Sequence, residues 1–172
     1  MTVLTRDIIL KLIKDGEIKI KPFKEEQVGP ASIDLHLGNS FRVFKRAHEP
    51  VKVSGEPKYK EITESVEIGG KASLLIMPGE LVNGITQEEV WLPDNICGRI
   101  LGRSGFARMG LLTHLSSGFI HPGSKNRIAL EIINLSPVPL AITPGIKICQ
   151  IVLEWVEGKA KYKGRFQFQK KP

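Results

Sequence analysis

Near the start of the chain the apolar positions Ile8, Ile9, Leu12 and Ile13 recur at helical spacing, with Thr5 placed as N-cap and Gly16 as terminator. This pattern predicts one short amphipathic helix. Beyond it the period drops to two: Ile33, Leu35, Leu37, Phe41 and Val43 alternate with polar residues, and apolar runs follow at Ser73–Met77, Ile96–Leu101, Ile128–Ile133 and Ile146–Leu153. Strands are therefore expected through the rest of the chain. Pro78-Gly79, Pro122-Gly123 and Pro144-Gly145 punctuate them as turns, and 17 glycines with 11 prolines suit a mainly β sandwich or barrel.

A length of 172 residues, 41% hydrophobic and 25% charged, predicts a single domain over 1–172. His48–Lys60 reads as a polar loop or weak hairpin inside it. The basic, Gln-rich tail 159–172, interspersed with Tyr162, Phe166 and Phe168, is a candidate lid that could close over a ligand. Charges within Met1–Asp15 argue against a signal peptide or a membrane span, and no later run is long enough to cross a bilayer, so a cytoplasmic protein with no membrane partner is expected. Cys97 and Cys149 lie far apart in apolar runs, outside any Cys-x-x-Cys pattern, and are expected as buried reduced thiols.

The net charge of +7 suggests an anionic partner: nucleic acid, a nucleotide or a phosphometabolite. Scattered basic residues, 6% aromatics and the lack of any helix-turn-helix, zinc-finger or ribonucleoprotein-type motif weigh against a dedicated nucleic-acid binder.

Glu131 is the leading candidate for chemistry. A pleated strand over Ile128–Ile133 points Ala129, Glu131 and Ile133 to one face and Leu130 and Ile132 to the other. An ionised carboxylate among such neighbours is costly unless it is hydrogen-bonded or catalytic; the competing reading is a structural ion pair with Arg108 or Arg127. Arg103-Ser104-Gly105 is either a phosphate-binding loop, with Gly102 and Gly105 freeing the backbone, or a turn with a solvated Arg. Arg108 would come near Ser104 in a helical turn, and Ser116-Ser117-Gly118 offers hydroxyls before Phe119. His114 and His121 lack a His-Glu-x-x-His spacing, so no protein-bound zinc is expected. Serine-hydrolase, Walker A and dinucleotide fingerprints are absent.

Several segments together resemble the dCTP deaminase branch of the dUTPase-like superfamily. Gly29–Gly38 is similar to that family's Pro-Ala-Ser-Val-Asp-Leu-Arg-Leu-Gly strand, and Gly102–Gly110 to its Gly-Arg-Ser-Ser-Leu-Ala-Arg-Leu-Gly segment. Gly118–Gly123 and Ile128–Asn134 resemble its Gly-Trp-Ile-Asp-Pro-Gly hairpin and Ile-Thr-Leu-Glu-Leu-x-Asn strand, and Pro144–Gln150 resembles Pro-Gly-Met-Lys-Ile-x-Gln. The resemblance implies a distorted jelly-roll, or β-clip, dUTPase-like fold with a short N-terminal helix. It also implies a homotrimer with sites between subunits, and magnesium carried by the nucleotide triphosphate.

On this resemblance Glu131 matches the catalytic glutamate, Ser104 and Arg108 match water- and carboxylate-positioning residues, and Ser117 stands where a backbone carbonyl helps hold the water. Nucleotide contacts are implied for Arg103 in the triphosphate loop, for Gly105, Phe106, Ala107, His121, Ala129, Leu130 and Gln150, and for Tyr162, Arg165 and Gln169 of the tail. Arg165 replaces the usual Lys. A carboxylate in this role takes a proton from water, which attacks C4 of cytosine, and then delivers protons to the ring nitrogen and the departing ammonia. Zinc deaminases instead show His-x-Glu and Pro-Cys-x-x-Cys, and this chain has neither.

The chain also departs from the family pattern. His121 replaces an Asp used at the sugar and, in the diphosphatases, to activate water, which argues against diphosphatase activity. Gly105 replaces a Ser and makes Arg103-Ser104-Gly105 look like the dUTPase motif, which argues the other way. Ser124 and Asn126 replace an aromatic and a Gly, and the tail stops at Lys171-Pro172 without the usual continuation. The expected activity is zinc-independent hydrolysis of dCTP to dUTP and ammonia in deoxypyrimidine nucleotide metabolism. The alternatives are a dUTP diphosphatase, or a bifunctional enzyme forming dUMP, as in deaminase relatives with Gly at position 118. A catalytically weak nucleotide-binding regulatory protein is a further alternative.

Overall fold

The N-terminal periodicity forms α1, Arg6–Lys14, which buries Ile9 and Leu12. Thr5 is the N-cap in extended backbone, but its hydroxyl bonds the Asp7 carboxylate rather than a free helix N–H. Gly16, at φ +75°, ends the helix as expected. The structure, a computed structural model, describes residues 2–46, 49–53, 55 and 58–172. The expected loop or hairpin at His48–Lys60 therefore lies partly outside the described residues, at 48, 54, 56 and 57.

The remaining elements are nearly all strands: β1 (Thr2–Val3), β2 (Lys19–Lys21), β3 (Ile33–His36), β4 (Ser40–Phe44), β5 (Thr63–Glu67), β6 (Leu74–Ile76), β7 (Leu81–Trp91) and β8 (Ile96–Gly102). A short helix α2 (Ser104–Arg108) precedes β9 (Leu111–Thr113), β10 (Phe119–Ile120), β11 (Lys125–Asn134), β12 (Leu140–Ile142) and β13 (Lys147–Trp155). One antiparallel sheet runs β1-β13-β8-β10, with β3 also on β13; the other runs β5-β4-β7-β11-β9, with β2 also on β7. β12 and β6 form a separate pair. A single hydrophobic cluster draws Ile33, Leu35, Ile96 and Ile151 from the first sheet and Phe41, Val82, Leu130 and Ile132 from the second. The expectation of a mainly β fold with a short N-terminal helix is met.

Each expected turn glycine, Gly79, Gly123 and Gly145, has a positive φ that a side chain would strain. Both cysteines are buried free thiols. Burial pushes the Cys97 and Cys149 thiols up, with Glu154 adding to the effect at Cys97 and Glu88 at Cys149. Among the described residues no helix is long and apolar enough to cross a membrane.

Among the strands that the sequence pattern does not mark, which include β1, β2, β5, β9 and β12, the longest is β7, because its Asn83, Gly84, Gln87 and Glu88 break any simple alternation. Its pairing with β11 also slips between Arg127 and Ala129. Thr86 bridges this break: its hydroxyl accepts the Ile128 N–H at 3.0 Å and donates to the Glu88 carbonyl at 2.8 Å. The Glu88 carboxylate, almost fully buried, accepts the His36 N–H at 2.8 Å and a Gln27 amide hydrogen at 3.0 Å, with His36 Nδ1 at 2.6 Å.

Candidate active site

The faces expected along β11 are the ones observed. Ile128, Leu130 and Ile132 point into the core, while Ala129, Glu131 and Ile133 are only partly covered. Glu131 is less buried than its neighbours in sequence imply, with 30% of its side chain exposed, because its face of the strand lines a cleft instead of the core. Ser117 Oγ donates to Oε1 at 2.8 Å, the Ser116 N–H approaches Oε2 at 3.4 Å, and His114 Nδ1 lies 3.7 Å from Oε2. Among the described residues of a single copy no ion pair joins Glu131 to Arg108 or Arg127; the ionisable side chain beside it is His114.

The cleft, about 610 Å³, is also lined by His121, Ala129, Tyr162 and Gln169, all expected, and by Tyr59, Asn83, His114 and Phe119, which were not. His121 is clamped between two rings, edge-to-face with Phe119 at 4.9 Å and parallel to Tyr162 at 5.4 Å. Tyr162 is held by its N–H donating to the Pro122 carbonyl at 2.9 Å. The tail then follows β11: the Phe168 N–H donates to the Lys125 carbonyl at 2.7 Å, and the Gln169 carbonyl accepts the Arg127 N–H at 2.9 Å. Gly123 permits this approach, since a Cβ there would sit 3.0 Å from Lys161 Cα. Arg165 does not line the cleft; its guanidinium lies 5.3 Å from the Phe166 ring centroid.

The Arg103 segment lies elsewhere. A second cleft of about 430 Å³ is lined by Arg103, Ser104, Gly105, Phe106 and Gln150, together with Gly29, Pro30, Ser32 and Asp34. Ser104–Arg108 curls into the helical turn that the spacing suggested. Arg103 forms an ion pair with Asp34, whose other oxygen lies 3.2 Å from Lys147 Nζ, and Ser32 Oγ donates to Gln150 Oε1 at 2.8 Å. Among the described residues none lines both clefts. Ala107 and Arg108 are exposed and line neither, and the Leu130 side chain is fully buried, which leaves only its backbone for a ligand. Asp34 and Ser32 were legible only as part of the Gly29–Gly38 strand; no spacing marked them as the anchors of Arg103 and Gln150.

The dCTP deaminase-like family matches this chain over residues 3–156. The chain belongs to the dCTP deaminase-like family. A relative from Methanopyrus kandleri, named dCTP deaminase, dUMP-forming, is 37% identical over 179 residues, covering 95% of this chain and 92% of its own length. A Methanobrevibacter smithii relative of the same name is 34% identical, covering 100% of this chain and 93% of its own. The fold is similar to the crystal structure of 2'-deoxycytidine 5'-triphosphate deaminase from Agrobacterium tumefaciens, at TM-score 0.68 and 20% identity over 88% of this chain and 47% of that one. It is also similar to the D95N dUTPase of phage phi11 of S. aureus, at TM-score 0.52 and 13% identity over 86% of this chain and 96% of that one.

These relatives correct the expected product. Those at 34–37% identity carry names ending in dUMP-forming, so deamination that stops at dUTP is not the reading they support. The lost negative charge at His121 is therefore a poor guide to the product. Gly105 and Gly118, which pointed toward the dUMP-forming alternative, were the better guide.

Proposed function

We propose that this chain converts dCTP to dUMP, releasing ammonia and pyrophosphate, at sites assembled between copies of a homotrimer. The observation that carries the reading is the division of the site. The Glu131–Ser117 pair faces one cleft and the Arg103–Ser104 loop another, and among the described residues none is shared between them. Bringing the Arg103 cleft of one copy against the Glu131 cleft of the next supplies both halves.

Glu131, its Oε1 held by Ser117, takes a proton from water, and the water oxygen bonds to C4 of cytosine. Protons then pass to the ring nitrogen and the amine, and the C4–N bond breaks to release ammonia. In the second step a water oxygen bonds to the α-phosphorus of the uracil nucleotide as the bond to the bridging oxygen breaks, and pyrophosphate leaves. Ser104 and Arg108 of the neighbouring copy position the water and the Glu131 carboxylate. Arg103, steadied by Asp34, meets the triphosphate, and Tyr162 and His121 form a wall for the nucleoside.

Among the described residues Asp34 is the one carboxylate lining the Arg103 cleft and is already paired with two cations, which favours magnesium entering on the triphosphate as part of the substrate. With Glu131 as base, the deamination needs no protein-bound zinc. The reading places the enzyme among free deoxynucleotides in the cytoplasm, acting on no nucleic acid.

Incubation with dCTP and magnesium tests it. Ammonia, pyrophosphate and dUMP are expected in equal amounts. Ammonia accompanied by accumulating dUTP would overturn the second step, and binding without any turnover would favour the regulatory alternative.

A further inference from the structure

His114 is the side chain near Glu131 that packing explains least. It follows β9, its backbone N–H donates to the Glu131 carbonyl at 2.7 Å, and its φ of +63° is a left-handed conformation that residues with side chains seldom adopt. The imidazole is turned into the cleft wall with 4% of its surface exposed, and among the described residues neither Nδ1 nor Nε2 has a hydrogen-bond partner. Buried polar atoms are nearly always paired. An apolar ring would fill the same space without leaving two nitrogens unsatisfied, so the imidazole points to a partner it meets only in another state. A group of the right chemistry is Oε2 of Glu131, 3.7 Å from Nδ1 and just outside hydrogen-bond reach.

We propose that His114 is a positioning residue for Glu131. Nucleotide binding draws the two side chains together and Nδ1–H donates to Oε2, while Ser117 Oγ holds Oε1. Two donors from one loop then fix the plane of the carboxylate, so that its lone pair faces the attacking water. Hydrogen bonds that serve catalysis are often long before substrate arrives and tighten in the complex. Gly118 belongs to the same arrangement, since a Cβ there would lie 3.8 Å from His114 Cδ2 and 3.2 Å from the Ile100 carbonyl. The inference rests on reading Glu131 as the base.

The test uses the full-length protein with His114→Phe and His114→Asn. His114→Phe should bind the α,β-imido analogue of dUTP with near wild-type affinity, leave KM for dCTP little changed and lower kcat by roughly 10- to 100-fold, the scale of a misplaced catalytic group. His114→Asn, which keeps a donor, should recover part of that loss. Ring ¹⁵N signals of His114 in the analogue complex should show a proton on Nδ1 and should move in Glu131→Gln. A wild-type kcat in His114→Phe, or ring signals indifferent to Glu131→Gln, would overturn the proposal; if His114→Phe does not fold, the ring signals decide. Glu131→Gln releasing ammonia at the wild-type rate would reject Glu131 as base whatever His114 does. An inactive Glu131→Gln beside a fully active His114→Phe would reject the His114 role alone.

Discussion

Glu131→Gln should lower ammonia release from dCTP by about a thousandfold, the scale of a lost general base, while the protein still folds and binds nucleotide. The substitution keeps the volume and leaves an oxygen to accept the Ser117 hydroxyl, so the 2.8 Å contact can survive. What is lost is the basic lone pair that takes the proton from water. With 30% of the side chain exposed, removing its charge leaves no buried cation stranded, and the melting temperature should stay near that of the wild type. Ammonia release measured beside binding of the imido analogue separates the two effects. A variant that keeps its rate, or one that loses binding together with rate, would contradict the assignment.

The largest effect on stability is expected away from the site. Glu88→Ala removes the acceptor shared by the His36 N–H, the His36 ring and the Gln27 amide, all gathered on one buried carboxylate. Unsatisfied buried donors cost about 1–3 kcal/mol each, so a loss on the order of 3 kcal/mol is expected. For a chain of this size that corresponds to a melting temperature lower by about 6–12 °C. Glu88→Gln, which keeps an acceptor, should lose less. Thermal unfolding of the two variants checks the ordering, and an alanine variant as stable as the wild type would show that these contacts do not hold β3 to β7.

The parts of the fold legible in the sequence are those where one side of an element is uniformly apolar. The spacing of Ile9 and Leu12 marked α1, and the alternation through Ile33–Val43 and Ile128–Ile133 marked β3, β4 and β11. β7 was not legible because Thr86 and Glu88 are buried polar residues satisfied by partners distant in sequence. The same physics governs the site. Glu131 stood out as a charge in an apolar strand, although its face opens on a cleft, and Ser104 stood out through its glycine neighbours. Asp34 and His114 did not stand out, because an anchoring carboxylate and an orphaned imidazole are defined by what lies across the fold from them. Nor does the sequence show that Glu131 and Arg103 line separate clefts.

That separation gives the most direct test of the central claim, that one copy supplies Glu131 and another the Arg103–Ser104 loop. Glu131→Gln and Ser104→Ala chains carrying different tags are co-expressed, and assemblies holding both tags are purified. In a cyclic trimer every such assembly has one site with both residues intact, so dCTP turnover should return to about a third of the wild-type value, although each variant alone is nearly inactive. Mixed assemblies as inactive as either parent would contradict the shared site and place Glu131 and Ser104 in the same chain's chemistry.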